Sequence, residues 1–144
     1  METNQLSFVE ALQKAHGALF EDLKDLENAA HSSPGADSAA MLSRLERTRV
    51  HITEHFRFEE QNGYMAVVLQ REPNLARTVE QLRDEHQQLA LKLAGLLERM
   101  KTGKPLEEEI RNQIRAWVES VRQHEARENR LVQNAFNMDL GTED

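Results

Sequence analysis

LARTVEQLRDEHQQLALKLAGLLERM, residues 75–100, carries an unbroken helical stripe. Leu75, Val79, Leu82, His86, Leu89, Leu93, Leu96 and Met100 follow one another in alternating steps of four and three residues. That alternation keeps all eight side chains on one face of an α-helix packed in a bundle. Seven of the eight are apolar, and the exception is a histidine in the middle.

The same period recurs three times. It runs through Leu12, His16, Leu19, Leu23 and Leu26, then through Met41, Leu45, Thr48, Ile52, His55 and Glu59. It returns in Ile110, Ile114, Trp117, Val121, His124, Glu128 and Leu131. Helices are predicted roughly over 4–31, 38–62, 74–102 and 105–136, with a polar tail at 137–144 and one domain spanning 1–144. Turn chemistry separates them: Ser32-Ser33-Pro34-Gly35 with Asp37 or Ser38 as a cap, Gly63 and Glu72-Pro73-Asn74, and Gly103-Lys104-Pro105. Tyr64–Arg71 leaves room for a short extra turn of helix.

Each stripe carries a histidine, and two carry a glutamate four residues further on. His55-x-x-x-Glu59 and His124-x-x-x-Glu128 are each preceded by a solitary histidine, His16 and His86. The second set repeats the first at offsets of 70, 69 and 69 residues. Residues four apart share a helical face, so each motif presents an imidazole and a carboxylate together. In an antiparallel pair, residues equally far from the connecting turn lie at one height. The midpoint of His16 and His55 is 35.5, beside Pro34-Gly35, and that of His86 and His124 is Pro105. For His86 against His55 and Glu59 the midpoints are 70.5 and 72.5, beside Pro73. An all-α, up-down-up-down four-helix bundle would therefore gather all six residues in its interior.

Burying ionised carboxylates without partners costs several kcal/mol each, so six such positions need a cause. Cations compensate both carboxylates while taking neutral imidazoles as ligands. Four imidazoles and two carboxylates in twofold arrangement suit two transition-metal ions. Iron is the expected metal, with manganese or zinc behind it. A metal-free His–Glu network in a helical interaction protein is the bland alternative.

Other residues have plainer readings. His51 is placed on a flank, with a seventh ligand as the alternative, because Ile52 competes for the inward direction. His31 is expected in solvent. Glu54, Glu60, Glu85 and Glu125 adjoin motif positions, but one residue turns a side chain about 100° around a helix. They are expected at the surface, with Glu60 the exception able to support a ligand. Tyr64 is read as packing rather than as the lining of an oxygen pocket, and Phe20, Phe56, Phe58 and Trp117 as bundle packing.

The composition agrees with a soluble helical protein: 144 residues, 39% hydrophobic, 30% charged, three prolines and six glycines. No cysteine is present, which excludes disulfides, thiolate-held iron–sulfur clusters and a cysteine nucleophile and fits a cytoplasmic setting. A net charge of −7 without a basic stripe argues against nucleic acid. No apolar run is long enough for a membrane. Phosphate loops and nucleophile elbows are missing, which sets aside kinase and hydrolase chemistry.

The order His16, His55-Phe56-x-x-Glu59-Glu60, Glu85-His86, His124-Glu125-x-x-Glu128 resembles the hemerythrin-like (HHE cation-binding) domain, from about Leu12 to Leu131. The resemblance implies a non-haem di-iron centre. His16 and His55 would serve one iron and His86 and His124 the other. Glu59 and Glu128 would bridge them together with an oxo, hydroxo or water ligand. Invertebrate oxygen carriers of the family have a fifth histidine in an H-x-x-x-H pair on the third helix and an H-x-x-x-x-D motif on the fourth. Here Leu82 and Ala90 flank His86, and the fourth helix has H-x-x-x-E. The six-ligand pattern is more similar to bacterial iron-centre repair proteins and the eukaryotic iron-sensing F-box domain, although the cysteine-bearing N-terminal region of the repair proteins has no counterpart.

The expected activity is binding or reduction of O2, H2O2 or NO, because two ferrous ions can each supply one electron. An iron or redox sensor without turnover is the second expectation. A monomer or weak homodimer is expected, with an unknown redox partner.

Overall fold

The four–three stripes emerge as helices in the computed structural model, which describes residues 2–31, 38–62, 64–101 and 106–136. Helix α1 is Glu2–Ala30 and α2 is Ser38–Arg57, followed by a π-helical turn at Phe58–Asn62. Helix α3, Tyr64–Arg71, leads through a 3₁₀ turn at Pro73–Leu75 into α4, Ala76–Met100, and α5 is Glu108–Phe136. The side chain of Leu12, the turns at 32–37 and 102–105, Gly63 and the tail at 137–144 lie outside the described residues. No strand occurs among the described residues, and none of their helices is long and apolar enough to cross a membrane.

Helix α1 packs on α2 and α5, and α4 packs on the same two, so four long helices close around a shared interior. The fold is a helical bundle. Short α3 leans on the π turn, the 3₁₀ turn, α4 and α5.

Two apolar clusters fill that interior. The larger holds Leu19, Leu23 and Leu26 of α1, Met41, Leu45 and Ile52 of α2, Leu89 to Met100 of α4, and Ile114 to Val121 of α5. The smaller gathers Tyr64, Met65 and Val68 of α3 with Val79, Leu82, Leu131, Val132 and Ala135. On α4, only His86 of the stripe lies between the two clusters, and on α5 the interval is His124 to Glu128. The polar layer is thus confined to one level between two dry ones.

Polar groups inside the apolar layers are satisfied locally. The Trp117 indole N–H donates to the Leu89 carbonyl at 2.9 Å, and the Thr48 hydroxyl donates to the Arg44 carbonyl at 2.9 Å. Phe20 departs from the packing role expected of it. It is 49% exposed, and the Arg122 guanidinium sits over its ring at 5.6 Å. Gly95 is exposed inside α4, and a Cβ built there meets nothing within 4 Å. Gly95→Ala is expected to raise stability by about 0.5–1 kcal/mol, measured by thermal melting, because alanine holds a helix better than glycine.

Candidate metal centre

Four long helices and the π turn meet at the polar layer. His16 comes from α1, His55 from α2 and Glu59 from the π turn, His86 from α4, and His124 and Glu128 from α5. All six side chains are buried, both glutamates completely. Nε2 of His16 lies 3.1 Å from Glu59 Oε2 and 3.3 Å from Glu128 Oε1, and Nε2 of His55 lies 3.0 Å from Glu59 Oε2. Opposite them, His86 Nε2 stands 3.0 Å from both Glu59 Oε1 and Glu128 Oε2, and His124 Nε2 is 2.9 Å from Glu128 Oε2. The candidate ligand atoms therefore fall into two groups, His16–His55–Glu59–Glu128 and Glu59–His86–His124–Glu128, each spanning no more than 4.8 Å. Both glutamates belong to both groups.

The hemerythrin HHE cation-binding domain profile matches residues 7–136. The chain belongs to that family. No curated protein and no solved structure matches it. Membership in the hemerythrin HHE family implies cation binding, and the buried His/Glu group offers ligand atoms that could hold a metal ion.

The donor set of this hemerythrin-family site fits such ions on its own terms. His55 Nε2, Glu59 Oε1 and Glu128 Oε1 are buried without a hydrogen-bond partner among the described residues. Glu59 Oε1 is close to His86 Nε2, yet the contact lacks hydrogen-bond alignment. Orphaned donors crowded into one layer are costly unless a cation engages them.

Electrostatics within the layer follow from burial working against contact. Burial disfavours protonated His16 and His86, but Glu128 and Glu59 beside them win and carry each pKa up to about 10. His124 is raised in the same way, burial being outweighed by Glu128. Burial alone would raise Glu128, but His124, His16 and His86 hold it well below the usual carboxylate range. A histidine raised from 6.5 to about 10 stabilises the fold fully below 6.5 and loses that contribution as pH rises through 10. Metal-free protein is therefore expected to melt progressively lower between about pH 7 and 10. Metal-loaded protein, with neutral imidazoles as ligands, should lack this decline, and melting curves across that range compare the two.

A second layer of residues holds the first. The ring of Phe56 stacks on His86 with centroids 3.9 Å apart and planes at 11°, and meets His124 edge-on at 5.7 Å. Glu60 Oε2 lies 2.6 Å from His86 Nδ1, the supporting role expected of it. Glu85, expected at the surface, is instead half-buried, with Oε1 2.7 Å from His124 Nδ1 and 2.6 Å from Arg127 Nη2. A carboxylate on the far nitrogen fixes the ring and directs Nε2 inward. His16 and His55 lack this arrangement, and their Nδ1 atoms have no hydrogen-bond partner among the described residues.

Two further expectations are corrected. Tyr64 does more than pack, since its buried hydroxyl donates to Glu128 Oε2 at 2.9 Å. Burial, reinforced by Glu128, pushes the phenol pKa upward, so it keeps the proton it donates. Glu125, expected in solvent, is 8% exposed, with Oε2 unpartnered and 3.6 Å from His55 Nε2. Burial pushes its carboxyl up to about 7. The sequence did hold a signal for Glu125. Val118, Val121, Glu125, Glu128, Val132 and Ala135 form a second four–three stripe, and every member is buried. His51 stays on the flank, 47% exposed at its side chain, with Nδ1 2.5 Å from Asp22 Oδ2. His31 is exposed.

Proposed function

We propose that the chain is a non-haem di-iron protein that binds or reduces a small ligand, O2, H2O2 or NO, inside the bundle. The observation that carries this reading is the sharing of Glu59 and Glu128 by two histidine pairs. A carboxylate common to two groups of imidazoles suits a bridge between two ions. His16 and His55 would hold one iron and His86 and His124 the other. Mixed nitrogen and oxygen donors without thiolate favour iron, with manganese or zinc as weaker candidates. When bound, two ferrous ions supply the pair of electrons that such reductions consume.

An up-down-up-down course of the long helices, within a single domain, belongs to the proposal. On α1, Asp25, Asp22 and His16 meet Arg44, His51 and Glu59, so partners climb α2 as they descend α1. Arg99, Leu89 and Glu85 of α4 likewise meet Gln113, Trp117 and His124 of α5.

Access for small molecules is supported by two clefts. One of about 300 Å³ between α1 and α2, lined by Ala15, Ala18, His51, Glu54 and Phe58, reaches His55. Another of about 170 Å³ between α4 and α5 reaches His124 beside Glu85 and Arg127. Within the layer the Tyr64 hydroxyl steadies Glu128, and Phe56 fixes the planes of His86 and His124.

The test loads protein with ferrous iron anaerobically and then admits air. Two irons per chain and a new ligand-to-metal absorption band are expected, and an unchanged ferrous spectrum overturns the reading. Iron sensing without turnover is a second reading. It is favoured by the position of the site between two apolar clusters, where loss of metal would loosen both. It expects iron binding with no consumption of peroxide. Folded protein that takes up no iron would leave a metal-free interaction module.

A further inference from the structure

We infer that Glu125 is a metal ligand, serving the ion that His16 and His55 face and thereby making the two ions unequal. The inference rests on the dinuclear reading above. Three observations on one side chain support it. The residue is 8% exposed, its Oε2 is buried with no hydrogen-bond partner among the described residues, and that oxygen lies 3.6 Å from the inward nitrogen of His55. At 3.6 Å the contact with His55 is too long for a hydrogen bond, so the oxygen is left open to another partner. The charged groups acting on it most strongly are His16 and His55, followed by Glu128 and Glu59, and all four belong to the site itself.

Helix geometry accounts for the division of labour on α5. Consecutive residues differ by about 100° around the axis, so Glu125 cannot share the direction of His124. His124 is held by Glu85 of α4, and Glu125 turns instead toward His55 of α2. The His16/His55 side then has two imidazoles, the two shared carboxylates and Glu125, whereas the His86/His124 side has the same set without a third carboxylate. Three glutamates also balance more of the charge of two divalent cations than two would. It follows that the His16/His55 ion is the more tightly held, and the His86/His124 ion keeps the more open coordination. The α4/α5 cleft that reaches His124 is accordingly the route to the exchangeable position.

Glu125→Gln keeps shape and removes the anionic ligand. In the iron-loaded variant one of two Mössbauer doublets should shift while the other stays. Competition with a chelator should show one ion held roughly 10–100-fold more weakly. Melting supplies a difference that a purely structural role cannot give. Iron loading should raise the melting temperature of the variant by less than it raises that of wild type, since one ligand is gone. In metal binding and in the iron-loaded melt, Glu125→Asp, one methylene too short to reach, should behave like the glutamine variant.

Unchanged doublets and unchanged affinities in Glu125→Gln overturn the inference. So does a variant that gains as much from iron loading as wild type, and so does an aspartate variant indistinguishable from wild type, which would reduce Glu125 to a source of charge. Failure of the underlying reading is separable, because wild-type protein would itself hold fewer than two irons.

Discussion

Glu128→Gln protein is expected to lose most of its metal and to melt well below wild type. Its carboxylate lies within 3.3 Å of His16 and within 3.0 Å of His86 and His124, and it accepts the Tyr64 hydroxyl. Among the described residues, no other side chain touches histidines from α1, α4 and α5 together with Tyr64 of α3. Neutralising it withdraws a shared anionic donor, so affinity should fall by at least roughly 10–100-fold, the loss typical of even supporting residues at metal sites. The metal-free fold suffers too. Three histidines whose pKa values Glu128 helps to raise would face an uncharged amide. Removing one partner of a buried charge cluster costs roughly 3–5 kcal/mol. At about 4 °C per kcal/mol in a chain of this size, that is a drop of roughly 10–20 °C. Metal analysis and melting of the apo and loaded variant measure both effects. Wild-type iron content together with a wild-type melting temperature would remove Glu128 from the centre.

Loading the wild-type protein with iron should produce the largest shift of all. A ligand at a thousand times its dissociation constant stabilises the folded state by about 4 kcal/mol per site. Two independent sites give about 8 kcal/mol, or roughly 30 °C by the same conversion. The shift should grow with free metal concentration and vanish on chelation. Coincident melting curves for apo and loaded protein would mean that the buried layer is satisfied without ions.

What the sequence made legible and what it concealed divide along a physical line. The stripes in α1, α2, α4 and α5 were readable because burial imposes a helical period, and each of His16, His55, His86 and His124 occupies a stripe position that is buried in the fold. Glu125 was hidden by the rule that a one-residue step carries a side chain out of the interior. The rule fails at the middle of a bundle, where α5 is covered by α1 and α4 on separate sides and two adjacent stripes are both inside. Glu85 stays partly exposed on α4, and its contact with His124 is tertiary. Tyr64 was hidden for another reason. It starts a short helix whose contacts are tertiary, and no periodicity links it to Glu128, 64 residues away. Nothing in the local sequence announced the π turn either, because its extra residue shows only in backbone geometry.

That turn also bears on how the chain tolerates change. A π turn contains one residue more than an α turn needs, so Phe58–Asn62 amounts to a spare residue stored in the helix. The surplus lets neighbours Glu59 and Glu60 both serve the layer, one among the Nε2 atoms and one on the back of His86. Deleting Gln61 here would leave an ordinary, well-formed helix and every charged group intact. Yet it would swing what directly follows, Tyr64 included, by about 100° relative to α2. The centre is therefore guarded by chain length as much as by residue identity, and a lost codon in this stretch would do more damage than most point substitutions elsewhere on α2.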